Sequence, residues 1–252
     1  MISVQSKSHE ELGFSTGPRI ALISALRQSL GPADEAMTKL WPGAVCFNLM
    51  DDSLARDLSE AGGVTKTIIR RFLTLSRYAE SANGVAGSTV GILYTCSAFG
   101  PAIDRARAAL SIPVVTPNEG AFEEALDICL GVFGGGHVGL LLSFAGSADP
   151  LTSELTRMAS ERDQAPPAIS AVVAEGALVA LQSGRSELHD ELIANAADQL
   201  PPLDVLIIGQ FSMARSAPLV AARRQEPVLT TPEGAVRKLR RLVETEGVET
   251  EG

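Results

Sequence analysis

The chain has 252 residues, of which 45% are hydrophobic, 20% charged and 4% aromatic, proportions typical of a globular protein with an aliphatic core. Its formal net charge of −9, from 21 basic and 30 acidic side chains, argues against nucleic acid as a partner, because phosphate backbones would be repelled. We find neither an apolar run of about 18 residues nor a secretory signal pattern, so we expect no membrane contact and a cytoplasmic location.

Strand and helix patterns alternate along the chain. Residues 1–17 predict a flexible tail, and the acidic segment 244–252 predicts a disordered one. The basic run RKLRR at 237–241 predicts the solvated face of a last helix. Helical spacing between most of the apolar runs indicates mainly parallel sheet with helices on both faces, and a closed barrel is the alternative. The eight predicted strands lie at 20–26, 44–49, 89–94, 113–115, 138–143, 168–173, 205–208 and 227–229.

An internal repeat distinguishes between these architectures. Residues 91–121 align without a gap over residues 205–235, at a constant offset of 114 (234 − 120), so that Gly120 matches Gly234. Chance seldom produces a match of this length, and a repeat of strand and helix units favours two similar lobes over one barrel. Fainter matches place residues 20–29 over 138–147, at an offset of 118, and residues 44–54 over 168–178, at an offset of 124.

The repeat predicts two pseudo-symmetric α/β lobes, each a four-stranded, mainly parallel sheet flanked by helices. We assign the first lobe to residues 18–130 and the second to residues 131–243, allowing the final helix to cross back. Clefts between lobes are where ligands usually bind, so we expect the active site in the interlobe cleft.

Three cysteines, odd in number and widely spaced, predict free thiols without a disulfide framework. Cys46 lies inside an apolar strand and Cys129 on the apolar side of a helix, so both are interpreted as buried structural residues. The repeat aligns Cys96 with Gln210, and both follow the carboxyl end of a predicted strand, where parallel sheets bind ligands. A helix begins after Cys96, with Pro101 near its first turn, and its free N–H groups would bind an anion and lower the thiol pKa. Cys96 is therefore the predicted catalytic residue.

The order strand–Thr–Cys–Ser–Ala–helix around residues 95–98, with an equivalent strand-to-helix site in the second half, resembles the aspartate/glutamate racemase superfamily over about residues 19–243. This group includes amino-acid and hydantoin racemases, maleate isomerase and arylmalonate decarboxylase, and the segment LGPADEA at 30–36 is similar to the last of these. The resemblance implies a cofactor-independent enzyme for a small carboxylic acid, without a metal. It also implies that Ser97 and Ala98 donate to a carboxylate or enediolate, with Phe144 in place of a pocket tyrosine.

Racemases of this superfamily use two cysteines, one on each side of the substrate carbon. This chain has Gln210 at the second position, and an amide neither gains nor loses a proton near neutral pH. We therefore expect a one-thiol isomerase or decarboxylase-type lyase, and the alternative is a catalytically degenerate member that only binds a small carboxylic acid. The oligomeric state is left open, with a homodimer as the commonest assembly. The predicted substrate-binding residues are Ser24, Thr95, Ser97, Ala98, Phe144, Ser147, Gln210, Phe211 and Ser212.

Overall fold

The computed structural model describes residues 17–84 and 86–249, which form two sheets flanked by helices. The first half contains β1 (Arg19–Ser24), α1 (Leu30–Leu40), β2 (Val45–Met50), α2 (Leu54–Ala61), α3 (Lys66–Ser81), β3 (Asn83–Gly84), β4 (Gly87–Tyr94), α4 (Gly100–Arg107), β5 (Val114–Val115) and α5 (Glu119–Cys129). The second half contains β6 (His137–Leu142), α6 (Ala148–Glu161), β7 (Ala168–Val173), α7 (Ala177–Gln182), α8 (Ser186–Ala197), β8 (Val205–Ile208), α9 (Ala217–Ala221), β9 (Val228–Thr230) and α10 (Thr231–Glu249).

Both sheets have the same strand order. The first runs β2-β1-β4-β5 and the second β7-β6-β8-β9, with every one of these pairs parallel. The prediction of two α/β lobes is confirmed, and the closed barrel is wrong. The first sheet also has a fifth strand, because the two-residue β3 pairs antiparallel with the start of β4. Both residues of β3 are exposed, so the hydropathy pattern could not predict this strand.

The central strands β1, β4, β6 and β8 are largely buried on both faces because helices cover each sheet on two sides. Ala21 and Ile23 of β1 face one core of the first lobe, whereas Ile20 and Leu22 face another, as the two-residue period of a strand requires. The second lobe repeats this arrangement, with Leu140 and Leu141 of β6 in separate cores. This double burial explains the continuous apolar runs in the sequence.

The strand registers test the repeat offsets residue by residue. Ile92 pairs with Val114 and Leu206 pairs with Val228, which reproduces the offset of 114 (228 − 114). Arg19 of β1 pairs with Val45, and its counterpart His137 of β6 pairs with Ala168. The offset of the second strands is therefore 123 (168 − 45), and the predicted value of 124 is wrong by one residue. A slip of one residue turns every side chain to the other face, so a faint alignment cannot fix it.

The last helix of each half packs on the opposite lobe. Phe122 and Leu126 of α5 belong to a core of the second lobe, and Val236 and Leu239 of α10 belong to a core of the first. The final helix therefore crosses back. The division of the chain into lobes at residues 18–130 and 131–243 stays a prediction. Helices α5 and α10 each pack on the lobe to which this division does not assign them.

The basic run on α10 pairs with acidic side chains of α5. Arg237 Nε lies 2.7 Å from Glu124 Oε1, Arg241 Nη2 lies 2.8 Å from Glu123 Oε2, and Lys238 also pairs with Glu123. The interpretation of this run as a merely solvated face is wrong, because three of its four cations join the two exchanged helices.

Helix α10 continues through Glu249, so the predicted disordered tail is wrong for residues 244–249. Leu242 and Val243 pack against the first lobe, and an i,i+4 ion pair of 2.7 Å joins Arg240 to Glu244, which together extend the helix. Residues 250–252, and residues 1–16 of the tail predicted for 1–17, lie outside the described residues. Within 17–84 and 86–249, no helix is long and apolar enough to cross a membrane.

Candidate active site

Cys96 lies two residues beyond the end of β4, at the carboxyl edge of the first sheet. Its backbone is extended, with φ −131° and ψ 116°, and a 3-10 turn at Ser97–Phe99 followed by α4 begins directly after it. Pro101 is in the first turn of α4, as predicted. The Cys96 side chain is half-buried and packs against a core of the first lobe.

The environment of Cys96 favours the neutral thiol. Burial raises its pKa to about 11, although the backbone N–H of Ala98 donates to the sulfur and acts in the opposite direction. The expected lowering of the pKa by a helix N-terminus is therefore wrong, since desolvation outweighs one amide. Near neutral pH this residue holds a proton that it can donate.

Ser24 and Thr95 bond each other beneath the edge of the sheet. They end β1 and follow β4, and Thr95 Oγ1 donates to Ser24 Oγ at 2.8 Å. Both residues are buried, with 1% and 2% of their surfaces exposed. Their hydroxyls support the floor of the site, and the predicted direct contact with substrate does not follow from this arrangement.

The other residues predicted to contact substrate near this sheet edge are more accessible to solvent. Ser97 is half-buried and Ala98 is exposed, which leaves their backbone near solvent beside the Cys96 sulfur. In the second lobe Phe144 is 55% exposed, and its ring covers Gly146, where an added Cβ would lie 2.6 Å from Phe144 Cε1. An exposed ring at this position offers apolar surface and no hydrogen bond.

Gln210 stands at the position equivalent to Cys96, before the 3-10 turn 211–216 that follows β8. Its Oε1 accepts from the backbone N of Ser143 at 2.9 Å and from Ser143 Oγ at 2.7 Å. Its Nε2 donates to Ser147 Oγ at 3.3 Å. The backbone N–H of Ser143 can only donate, so these contacts fix which end of the amide is oxygen.

Ser143 was not among the predicted site residues. It is the first residue after β6, and the pairing of Leu141 with Ile208 continues to Ser143 beside Gln210. Combining the predicted strand ends with the parallel pairing of the two central strands would have identified it.

Phe211 is buried, with 2% of its surface exposed, in a core of the first lobe that includes Ile20 and Leu22. The side chain fixes the second-lobe turn against the first lobe, and its contact with substrate stays a prediction. Ser212, the next residue, is half-buried. The turn also packs against α1 and the turn 27–29, so Gln210 lies where the two lobes meet.

The other two cysteines have environments that suit structural residues. Burial and the nearby Asp34 carboxylate raise the pKa of Cys46 to about 11, and burial also raises the pKa of Cys129. Cys46 belongs to β2 and Cys129 ends α5, so neither follows a central strand as Cys96 does.

Comparison with known proteins places this geometry in a structural group. No family model matches the chain. No curated protein matches its sequence. Among solved structures, allantoin racemase from Klebsiella pneumoniae is similar with a TM-score of 0.67 at 15% identity, over 91% of this chain and 89% of that one. A glutamate racemase from Bacillus anthracis has a TM-score of 0.66 at 12% identity, over 92% and 83% of the two chains.

A mutant of arylmalonate decarboxylase in its sulfate-associated form has a TM-score of 0.58 at 16% identity, over 90% of this chain and 94% of that one. Identities this low report on architecture, and all three likenesses extend over both lobes. The chain therefore shares the two-lobe α/β fold of these two racemases and of the decarboxylase.

Proposed function

We propose that the protein is a cofactor-independent enzyme that acts at the carbon α to a carboxylate, with Cys96 as its one proton-transferring residue. The observation that carries this proposal is the unequal pair at equivalent strand ends, a thiol at Cys96 and a hydrogen-bonded amide at Gln210. The racemases and the decarboxylase that share the fold support a reaction of this general kind.

A neutral thiol suits proton delivery. When one carboxylate leaves as CO2, the electron pair left on the α-carbon is delocalised into the remaining carboxylate as an enediolate. The Cys96 S–H transfers its proton to that carbon, and the thiolate that remains accepts a hydrogen bond from Ala98 N–H before water reprotonates it. Gln210 cannot supply a second proton, so the carbon is protonated on one face only. A decarboxylase-type lyase or an isomerase fits this chemistry better than a two-thiol racemase.

A substrate panel run in deuterated water tests the proposal. It contains amino acids, hydantoins, maleate and substituted malonates, and NMR detects exchange, isomerisation and decarboxylation together. We expect one substrate class to react with deuterium incorporated on a single face, and Cys96→Ala to lower turnover more than about 100-fold. Cys46→Ala is the matched control and should keep its activity. Full turnover by Cys96→Ala would show that the thiol is not the acid.

A second candidate is a binding protein for small carboxylic acids that performs no turnover. The missing second thiol favours it, because hydrogen-bond donors such as Gln210 and Ala98 N–H suffice for binding. Saturable binding of a carboxylate, with no exchange or product for any member of the panel, would support this candidate over the enzyme.

A further inference from the structure

Ser143 determines which atoms of the Gln210 amide are available to a ligand. Both donors of Ser143, its backbone N–H and its hydroxyl, point at Gln210 Oε1, at 2.9 Å and 2.7 Å. Turning the amide over would set Nε2 against the Ser143 N–H, donor against donor, and would leave a part-buried polar group without a partner. A part-buried donor without an acceptor is unfavourable, so the observed orientation is strongly preferred.

The other end of the amide remains a donor. Nε2 carries two protons, and one of them goes to Ser147 Oγ at 3.3 Å. The second proton meets no acceptor among the residues that the structure describes. Gln210 is half-buried and directly precedes the turn that packs against the first lobe, so its amide lies close to the lobe junction.

We propose that Ser143 is a positioning residue that presents the Gln210 N–H to the ligand, so that the second half of the site takes an anionic oxygen such as a carboxylate. The inference rests on the proposed function for the existence of a ligand between the lobes. It deepens that function by naming the group recognised opposite Cys96. Because Oε1 is occupied by Ser143, the amide cannot accept from an ammonium group at this position, and amino groups are not selected here.

Gln210→Glu tests the donor directly. A glutamate keeps the shape of the side chain, and one of its oxygens can still accept both Ser143 bonds, so the fold is preserved. Its other oxygen carries charge and no proton, and it repels a carboxylate. We expect malonate to bind the variant more than about tenfold more weakly than the wild type, since like charges in contact cost several kcal/mol. Neutral malonamide, which can donate to the new carboxylate, should bind no more weakly than to the wild type.

The control for added charge is Gln182→Glu, an exposed position at the end of α7, which should leave malonate affinity unchanged. Calorimetry gives the affinities, and the Gln210 side-chain amide resonance in 15N NMR should shift when malonate binds the wild type. Ser143→Ala removes one of the two bonds to Oε1 and should weaken malonate about fivefold, whereas Ser143→Thr keeps the hydroxyl and should restore affinity. The melting temperatures of these variants should not follow the order of their malonate affinities. If Ser143 had a purely structural role, its substitution would change stability and not ligand selectivity.

Two results would overturn the inference. One is Gln210→Glu binding malonate as tightly as the wild type, and the other is a wild-type protein that binds neither malonate nor any carboxylate of the substrate panel. A failure of the proposed function gives a different result, because the Cys96→Ala variant would then keep its turnover. Malonate binding by Cys96→Ser, which leaves Ser143 and Gln210 intact, separates the two.

Discussion

The backbones of Gly120 and Gly234 touch where α5 crosses α10, and each glycine is the repeat counterpart of the other. A Cβ on Gly120 would lie 2.1 Å from Gly234 O, and a Cβ on Gly234 would lie 2.4 Å from Ala121 N. Real atoms do not approach so closely, so only glycine permits this crossing. The contact lies at the start of both exchanged helices, and it therefore sets how the two lobes are joined.

Alanine at either glycine should destabilise the protein. The methyl group would meet backbone, which cannot rotate away as a side chain can, so the helices must separate. We expect Gly120→Ala and Gly234→Ala each to lower the free energy of unfolding by about 3 kcal/mol, measured by urea denaturation. The control is Gly31→Ala in α1, where a Cβ meets nothing within 4 Å, and it should stabilise the helix by about 0.5–1 kcal/mol. Equal stability of Gly120→Ala and the wild type would mean that the crossing is looser than described.

The sequence predicted the equivalence of these two glycines but not their contact. A repeat identifies which positions correspond, and the apolar runs identify the strands, so the two-lobe fold and the strand-end position of Cys96 followed from pattern alone. Which lobe a helix covers depends on packing between distant segments, and the exchange of α5 and α10 was therefore not fixed. The same limit applies to Ser143, whose role depends on a hydrogen bond across 67 residues to Gln210, and to Phe211, whose burial depends on the opposite lobe.

Alkylation of Cys96 should be slow at neutral pH. Burial holds its pKa near 11, so the thiolate fraction that reacts with iodoacetamide is small and rises with pH. We expect the labelling rate, followed by peptide mass spectrometry, to increase from pH 7 through about 11, later than a free cysteine of pKa 9.0. A bound dicarboxylate should protect Cys96 and leave the labelling of Cys129 unchanged. Rapid labelling at pH 7, saturating below pH 9, would show that the thiolate is already favoured in the ligand-free site.

The free energy of unfolding should decrease at alkaline pH, because the Cys46 and Cys96 thiols are desolvated in the folded protein. The pKa values of Cys46 and Cys96 are raised from 9.0 to about 11 in the folded protein. Between these values the unfolded chain releases protons that the folded chain retains. The stabilisation is therefore complete below about pH 9 and is lost as pH rises toward 11. We expect the urea midpoint to decrease from pH 8.5 to 10.5, and Cys46→Ala to have a shallower decrease. An identical slope in the variant would argue against a half-buried Cys46 that is held neutral in the folded protein.

Gln210→Cys should allow proton transfer on both faces of the substrate α-carbon instead of on one. The repeat places the new thiol opposite Cys96, and two thiols can remove a proton from one face of the α-carbon and deliver one to the other. The substitution also removes three hydrogen bonds to Ser143 and Ser147, which should cost about 1–3 kcal/mol of stability. Gln210→Ala is the matched control, because it loses the same bonds without gaining a thiol.

For Gln210→Cys we expect racemisation of a chiral carboxylate that the wild type only binds or exchanges on one face. Loss of optical rotation and deuterium incorporation into each enantiomer measure it, and Gln210→Ala should show neither. Part of the gain is offset, since the cysteine at 210 has no anion-binding N–H and leaves the Ser143 amide unpaired. We still expect a net gain of racemisation, because the wild-type amide neither gains nor loses a proton near neutral pH, whereas a thiol can transfer one. Exchange confined to one face in a folded, ligand-binding variant would mean that position 210 does not face the α-carbon and that Cys96 and Gln210 do not form one site.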